Sequence, residues 1–243
     1  MKTLLSEFNP RAVVLLAVLV AALIVLPHVV NSYVLSVAIV ILYFAYTGQA
    51  WNVMMGFCGQ LSLGHALYVG IGGYAAAALF VHYGIGPWVG MWAAMASCVA
   101  VGAVIGLLAF RFGICGVYFA LLTIAFAEFT RIGFDHWEWL GGSGGFFVPV
   151  AQRKFDDVLN LRGSPTMFYY VLLALDIAAF AVCAWLLRTR IGYYWLAIRE
   201  DPEAAQALGV NTFLYKMLAV LISSAMTSLA GVFFAFYYST LFP

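Results

Sequence analysis

The chain has 243 residues, of which 65% are hydrophobic and 9% charged, with a formal net charge of +1 and a mean hydropathy of +1.01. That much apolar surface exceeds what one soluble core of this length can bury, and no Asp, Glu, Lys or Arg stands between Arg11 and Arg111. The near-neutral charge and the lack of a basic patch with interleaved aromatics argue against a nucleic-acid partner.

Apolar runs of 18 or more residues can cross a hydrocarbon core of roughly 30 Å as helices, because helices satisfy their own backbone hydrogen bonds there. About seven such spans are expected, over residues 13–30, 33–54, 61–81, 88–110, 114–134, 167–187 and 213–238. The fold class is therefore all-α: a polytopic membrane helix bundle forming one domain over residues 1–243. The first run follows Lys2 and Arg11 as a signal peptide would. It continues to Val30 with no small-x-small cleavage site after it, so it reads as a retained span.

From just after the second run into the third extends GFCGQLSLGHALYVGIGG, residues 56–73. Gly56, Gly59, Gly64, Gly70, Gly72 and Gly73 are more glycines than an ordinary helix carries, and Gln60, Ser62 and His65 place polar atoms at membrane depth. One reading is small-residue helix packing with the polar groups satisfied inside the bundle. The other is an interrupted helix beside a transport pathway, since irregular backbone survives in a bilayer where protein or water covers it. On that reading Gly59, Gln60, Ser62, Gly64 and His65 are translocation-path candidates. His65 alone is no metal site. Cys58, Cys98, Cys115 and Cys183 lack C-x-x-C spacing and read as packing residues rather than a disulfide framework or metal ligands.

The later spans carry ionisable groups. Glu128 and Arg131 are three apart on one helical face, where they can pair. Asp176 lies mid-run, where a carboxylate must be protonated, paired or facing water. All three also admit a purely structural role. The segment LGGSGGFFVP, residues 140–149, supplies turns but no nucleotide loop, since the three lysines, Lys2, Lys154 and Lys216, do not follow glycine. No Walker A motif is present.

The stretch IREDPEAAQALGVN, residues 198–211, is the charged exception between two apolar runs. Asp201 suits an N-cap, Pro202 the first helical position, and Glu203 the positive end of the helix dipole. Ala204, Ala205, Gln206, Ala207 and Leu208 favour helix, and Gly209 can close it. So short a helix is marginal alone in water. It either joins two spans as a surface turn or docks a partner. Counting Lys and Arg in alternate loops places Lys2, Arg11, Arg111, Arg188, Arg190, Arg199 and Lys216 on one side and Arg153, Lys154 and Arg162 on the other, with Arg131 near the boundary. The positive-inside rule then makes the N-terminus and the charged stretch cytoplasmic.

Residues 187–235 resemble the cytoplasmic loop and following span of permease subunits in branched-chain amino-acid ABC transporters. AWNVMMGFCGQLSLGHALYVGIGGYAAAAL, residues 50–79, is similar to that family's G-x-x-G-Q-x-S-L-G-H segment, with Gly56, Gly59, Gln60, Ser62, Leu63, Gly64 and His65 in place. FALLTIAFAEFTR followed by GGSGG, residues 119–131 and 141–145, gives a third match in the same order. The resemblance implies an ABC importer permease-like fold in a bacterial cell inner membrane. It implies that Arg199, Glu200, Asp201, Pro202, Glu203, Ala204, Ala205 and Gly209 form the coupling helix against an ATPase. The implied partners are a second permease subunit, two ATP-binding subunits and an external substrate-binding protein. The chain itself would be no enzyme and would bind no cofactor, with ATP and Mg used by the partner subunits. The implied substrate is a branched-chain or other amino acid, with urea and short amides in related systems. The family normally continues beyond the equivalent of Phe242 with further spans, so the chain is expected to be C-terminally short. An ion-coupled transporter using Glu128 and Asp176 is the alternative of a different class.

Overall fold

The computed structural model describes residues 10–149, 157 and 160–243. Its helices are α1 (Pro10–Val29), α2 (Ser32–Asn52), α3 (His65–Tyr83), α4 (Pro87–Arg111), α5 (Val117–Asp135), α6 (Pro165–Arg188), α7 (Arg190–Glu200), α8 (Pro202–Ala207) and α9 (Thr212–Tyr238). Each expected span has its helix. Six stretches, Ser32–Phe57, α3, α4, α5, α6 and α9, are long and apolar enough to cross a membrane, and α1 adds the shorter apolar stretch Val18–Val29. Lys2, Arg153 and Lys154, which entered the orientation count, lie outside the described residues, as does the side chain of Arg11.

Two span boundaries need correction. The third span starts at His65 rather than Leu61, and the fifth at Val117 rather than Ile114. In both places an apolar sequence continues while the backbone leaves the helix. Gly113 and Gly116 take positive φ before α5, which ends any continuation of the α4 helix into it.

The bundle is organised around α9, the most buried of the long helices. Its crossing with α3 is made by small residues: a methyl group on Gly72 would lie 2.6 Å from the Ser228 carbonyl oxygen, and one on Gly231 would collide with the Val69 carbonyl. Glycine on both helices lets the backbones touch, the usual substitute for a hydrophobic driving force between helices in lipid. The polar residues of α9 stay inside without penalty, since Ser224, Thr227 and Ser228 return their hydroxyl protons to the α9 carbonyls of Leu221, Ser223 and Ala225 at 2.7–2.9 Å. On the other side of α9, Gly102 of α4 admits the Ser224 side chain.

Helix α1 is attached through α6. Pro27 has no N–H to give to the carbonyl of Leu23, four residues back, and the Tyr169 hydroxyl donates to that carbonyl instead at 2.8 Å. Tyr170 donates to the neighbouring Ile24 carbonyl at 2.9 Å. The Gly-rich segment after α5 makes two 3-10 turns, Glu138–Leu140 and Gly142–Gly144. It then gives β1 (Phe146–Phe147), which pairs antiparallel with β2 (Thr240–Leu241) after α9, Phe146 opposite Leu241. Gly145, at φ +81°, leaves room for Phe242 at this junction. The sequence reading foresaw turns here but not the strand pair.

Candidate functional site

Helix α2 does not end normally. Its last turn widens into a π-helical turn, Val53–Phe57, and residues 58–64 run without helix before α3 begins at His65. A π turn inserts one residue per turn and is found preferentially at functional positions. Gly59, at φ +71°, makes the exit. The irregular backbone is covered by side chains from elsewhere: Trp51 Nε1 donates to the Ser62 carbonyl at 2.8 Å, and the amide of Leu63 donates to Thr123 Oγ1 at 3.1 Å. Gly64 sits against the Thr123 carbonyl so closely that a methyl group there would collide with it. Gln60 is buried and donates to the Cys58 carbonyl at 3.2 Å. The interrupted helix, rather than simple small-residue packing, is therefore the arrangement at residues 58–64.

His65 opens α3 and its Nε2 lies 3.0 Å from Ser223 Oγ, whose own proton goes to the Ala50 carbonyl at 2.7 Å. With that proton committed, the contact closes when His65 Nε2 carries hydrogen and donates. The lone pair of neutral His65 is then on Nδ1, which is buried without a partner, as is Ser62 Oγ. Ser62 and His65 share the wall of a cavity of about 380 Å³ with Phe44, Thr47, Gly48, Trp51, Leu63 and Ala66.

Directly beside this break stands the charged stretch. Arg199, at the end of α7, donates from Nη1 to the carbonyl of Gly56 at 2.8 Å and pairs with Glu200 through Nη2 at 2.9 Å. A methyl group on Gly59 would be 3.0 Å from Arg199 Cγ and 3.2 Å from its Cα. Trp195, completely buried, donates to the Tyr215 carbonyl at 2.7 Å and packs with Ile198 into a cluster that contains Val53, Phe57 and Cys58 of the π turn and its exit. Asp201 caps α8 as expected, its Oδ1 accepting from the amides of Glu203 and Ala204 at 2.9 and 3.0 Å. Gly209 takes φ +87° just beyond the helix.

One assignment changes. Ala205, expected on the surface offered to a partner, is 3% exposed and belongs to the cluster with Trp195 and Val53. A six-residue helix must bury something to persist, and Ala205 is what α8 buries. The outward surface is Pro202, Glu203, Ala204, Gln206, Ala207 and Leu208, the last 86% exposed. Helix α7 itself was not foreseen, although Ile191, Trp195 and Ile198 have the four-and-three spacing of a buried helical face.

The intramembrane ionisable residues do not come together: Glu128 and Arg131 lie on α5 and Asp176 on α6. Glu128 and Arg131 pair at 2.9 Å along α5 with half-exposed side chains. Asp176, buried on α6, accepts from Gln49 Nε2 at 3.0 Å. Cys58, Cys98 and Cys183 are buried as packing residues, whereas Cys115 is exposed.

The model of the branched-chain amino acid transport system permease component matches residues 33–243. The chain belongs to that family. It is similar to the high-affinity branched-chain amino acid transport system permease protein LivM of Escherichia coli, 30% identical over 91% of this chain and 56% of that protein. LivM of Salmonella typhimurium gives the same identity and coverage. The putative glucose ABC transporter permease protein TsgC13 of Haloferax volcanii is 27% identical over 84% of the chain and 62% of its own length. The chain thus spans little more than half of the LivM proteins it matches. No solved structure matches it.

Proposed function

We propose that the chain is a transmembrane permease subunit of an ATP-driven importer of branched-chain or related amino acids, lying in a bacterial inner membrane with its N-terminus in the cytoplasm. It works by alternating access with a second permease subunit, two ATP-binding subunits that use ATP and Mg, and an external substrate-binding protein. The chain itself hydrolyses nothing. An amino acid is preferred over a sugar because the family description and the two relatives at 30% identity are named for branched-chain amino acids, whereas the glucose permease is 27% identical.

The observation that carries this reading is the contact of Arg199 with Gly56 and Gly59. It joins the charged stretch to the break in the membrane helix with no intervening element. An ATPase seated on the outward face of α8 pushes on a body that includes α7, because Ala205, Trp195 and Ile198 share one packed cluster with Val53 and Phe57. Movement of that body reaches the backbone of the interrupted segment through the guanidinium. A rigid docking surface and a deformable backbone in direct contact are what coupling requires.

The test is Arg199→Ala in the assembled transporter. The arginine is partly solvated, so the bond contributes about 0.5–1.5 kcal/mol and its loss weakens the link by about twofold or more. The ATPase should still co-purify while substrate-stimulated ATP hydrolysis and uptake fall together by at least that factor. Wild-type uptake from Arg199→Ala would refute the coupling route.

A further inference from the structure

We propose that Asp176 is an uncharged carboxylic acid that holds a proton between α6 and α2, its Oδ1 accepting from Gln49 Nε2 and its protonated Oδ2 donating to Gln49 Oε1. This acid–amide pair fixes α2 just ahead of its π turn. The inference is independent of the permease reading and concerns a group to which that reading gives no task.

Asp176 is 7% exposed, and one hydrogen bond, from Gln49 Nε2 at 3.0 Å, ties it to α2. The other oxygen of each group, Asp176 Oδ2 and Gln49 Oε1, is buried without a partner. Buried polar atoms are almost always paired, so two orphans flanking one bond call for a common cause. A carboxylate oxygen and an amide oxygen are both acceptors, and with Asp176 ionised neither can serve the other. One proton on Oδ2 makes it a donor and removes both orphans together. The two groups are already held by the Nε2–Oδ1 bond, and the soft terminal torsions of Asp and Gln let the second bond come into line.

Other ways of satisfying the carboxyl are closed. Neither orphan oxygen has accessible surface, so no water or metal cation has room to reach it, whereas a proton needs none. Among the described residues no cation pairs with Asp176. Of the titratable groups that face it, Tyr46 on α2 gives its hydroxyl proton to the Met226 carbonyl at 3.0 Å, and Cys183 lies two turns farther along α6. Asp176 stands on the face of α6 that carries Leu172, Leu173 and Ala179 into the core, where an unpaired carboxylate is the costlier state.

The position gives the pair its task. Gln49 precedes the π turn Val53–Phe57 by about one helical turn, and α6 passes through Thr189 into α7, whose Arg199 reaches Gly56. Helix α2 and the α6–α7 arm are thus joined twice, by the acid–amide pair inside the membrane and by Arg199 at the break. The pair is the fixed point about which the arm can move, and Asp176 and Gln49 are positioning residues.

The experiment is infrared spectroscopy of the full chain in nanodiscs at neutral pH, as a difference between wild type and Asp176→Asn. Wild type should show the C=O stretch of one protonated carboxylic acid that the variant lacks, and Gln49→Leu should shift that band upward toward the frequency of an unbonded acid. Where Gln49→Leu does not assemble, Gln49→Asn, whose shorter amide retracts from the carboxyl, gives the same comparison. A carboxylate signal in place of the acid band would overturn the proposal, as would an acid band that stays put when Gln49 is replaced. Asp176→Asn, which again sets a donor beside an acceptor, should keep the wild-type melting profile, whereas Asp176→Leu, which leaves both ends of the Gln49 amide unpaired, should lower it. Equal lowering by the two substitutions would overturn the two-bond pair.

Discussion

A glutamate placed at position 205 should lift α8 off the protein without disturbing the membrane helices. Ala205 is 3% exposed and shares its cluster with Val53, Phe57, Cys58 and Trp195, so a carboxylate there enters a packed apolar cluster. Leaving a buried charge unpaired costs about 3–5 kcal/mol, and overpacking adds about 1–3 kcal/mol. What holds α8 down is smaller: the burial of one methyl group, about 0.8 kcal/mol. Detachment of α8 is thus the cheaper outcome. The intrinsic helix preference of Ala over Glu, a few tenths of a kcal/mol, is too small to matter. Cys58, fully buried beneath this cluster, is the natural reporter. In a Cys115→Ser background, which removes the exposed thiol, maleimide labelling of Cys58 located by mass spectrometry should be fast in Ala205→Glu and slow in wild type. Ala204→Glu, on the outward face, should leave Cys58 protected yet reduce ATPase co-purification. Protection of Cys58 in Ala205→Glu would refute the packing argument, and full ATPase recovery with Ala204→Glu would refute the docking face.

Tyr169→Phe removes the donor to the Leu23 carbonyl that Pro27 leaves unpaired, and should lower stability by about 1–3 kcal/mol, read as a reduced melting temperature in detergent. An unchanged value would mean that the α1 carbonyl finds another donor. Asp176→Asn keeps an oxygen to accept from Gln49 and should leave assembly and uptake largely intact, whereas Gln49→Leu should destabilise by leaving Asp176 without its donor. Lost uptake from a well-assembled Asp176→Asn protein would favour an ionisation-dependent role instead. For topology, a cysteine at Ser143, exposed in the loop after α5, should react with an impermeant external reagent and one at Gln206 should not, in intact cells lacking the native cysteines. The reverse pattern would overturn both the orientation and the docking assignment.

The long helices were legible because apolar length alone specifies them in a membrane. The caps around α8 were legible because Asp201, Pro202 and Gly209 act on their nearest neighbours. The start of α3 was not. Leu61 and Leu63 continue the apolar run, and the backbone departs from helix there under the control of Trp51 and, much farther along the chain, Thr123. The direction faced by Ala205 was equally hidden, since Ala204 and Ala205 are identical in sequence terms and only the packing of Val53 and Trp195 distinguishes them. Among the site candidates, Ser62 and His65 meet at one cavity, while Gln60 and Gly59 serve the backbone around it. Ser223, which fixes the orientation of His65, was missed because one serine among the several on α9 carries no sequence signal.

The break at residues 58–64 is held from two directions. On one side Arg199 supports the Gly56 carbonyl, and on the other Trp51 and Thr123 support Ser62 and Leu63. Breaking the part-buried Trp51 or Thr123 bond leaves a polar group unsatisfied at about 1–3 kcal/mol, the scale on which ligand-driven equilibria are shifted, and the more exposed Arg199 bond counts for less. A displacement of α7 that lengthens the Arg199 bond therefore need not unfold anything to matter. It changes which conformation of the segment is best satisfied, and the segment leads through Ser62 into the first turn of α3. On the permease reading, linkage then requires that whichever docking state favours substrate binding be favoured in turn by substrate, so substrate should alter ATPase affinity by the same factor that the ATPase alters substrate affinity.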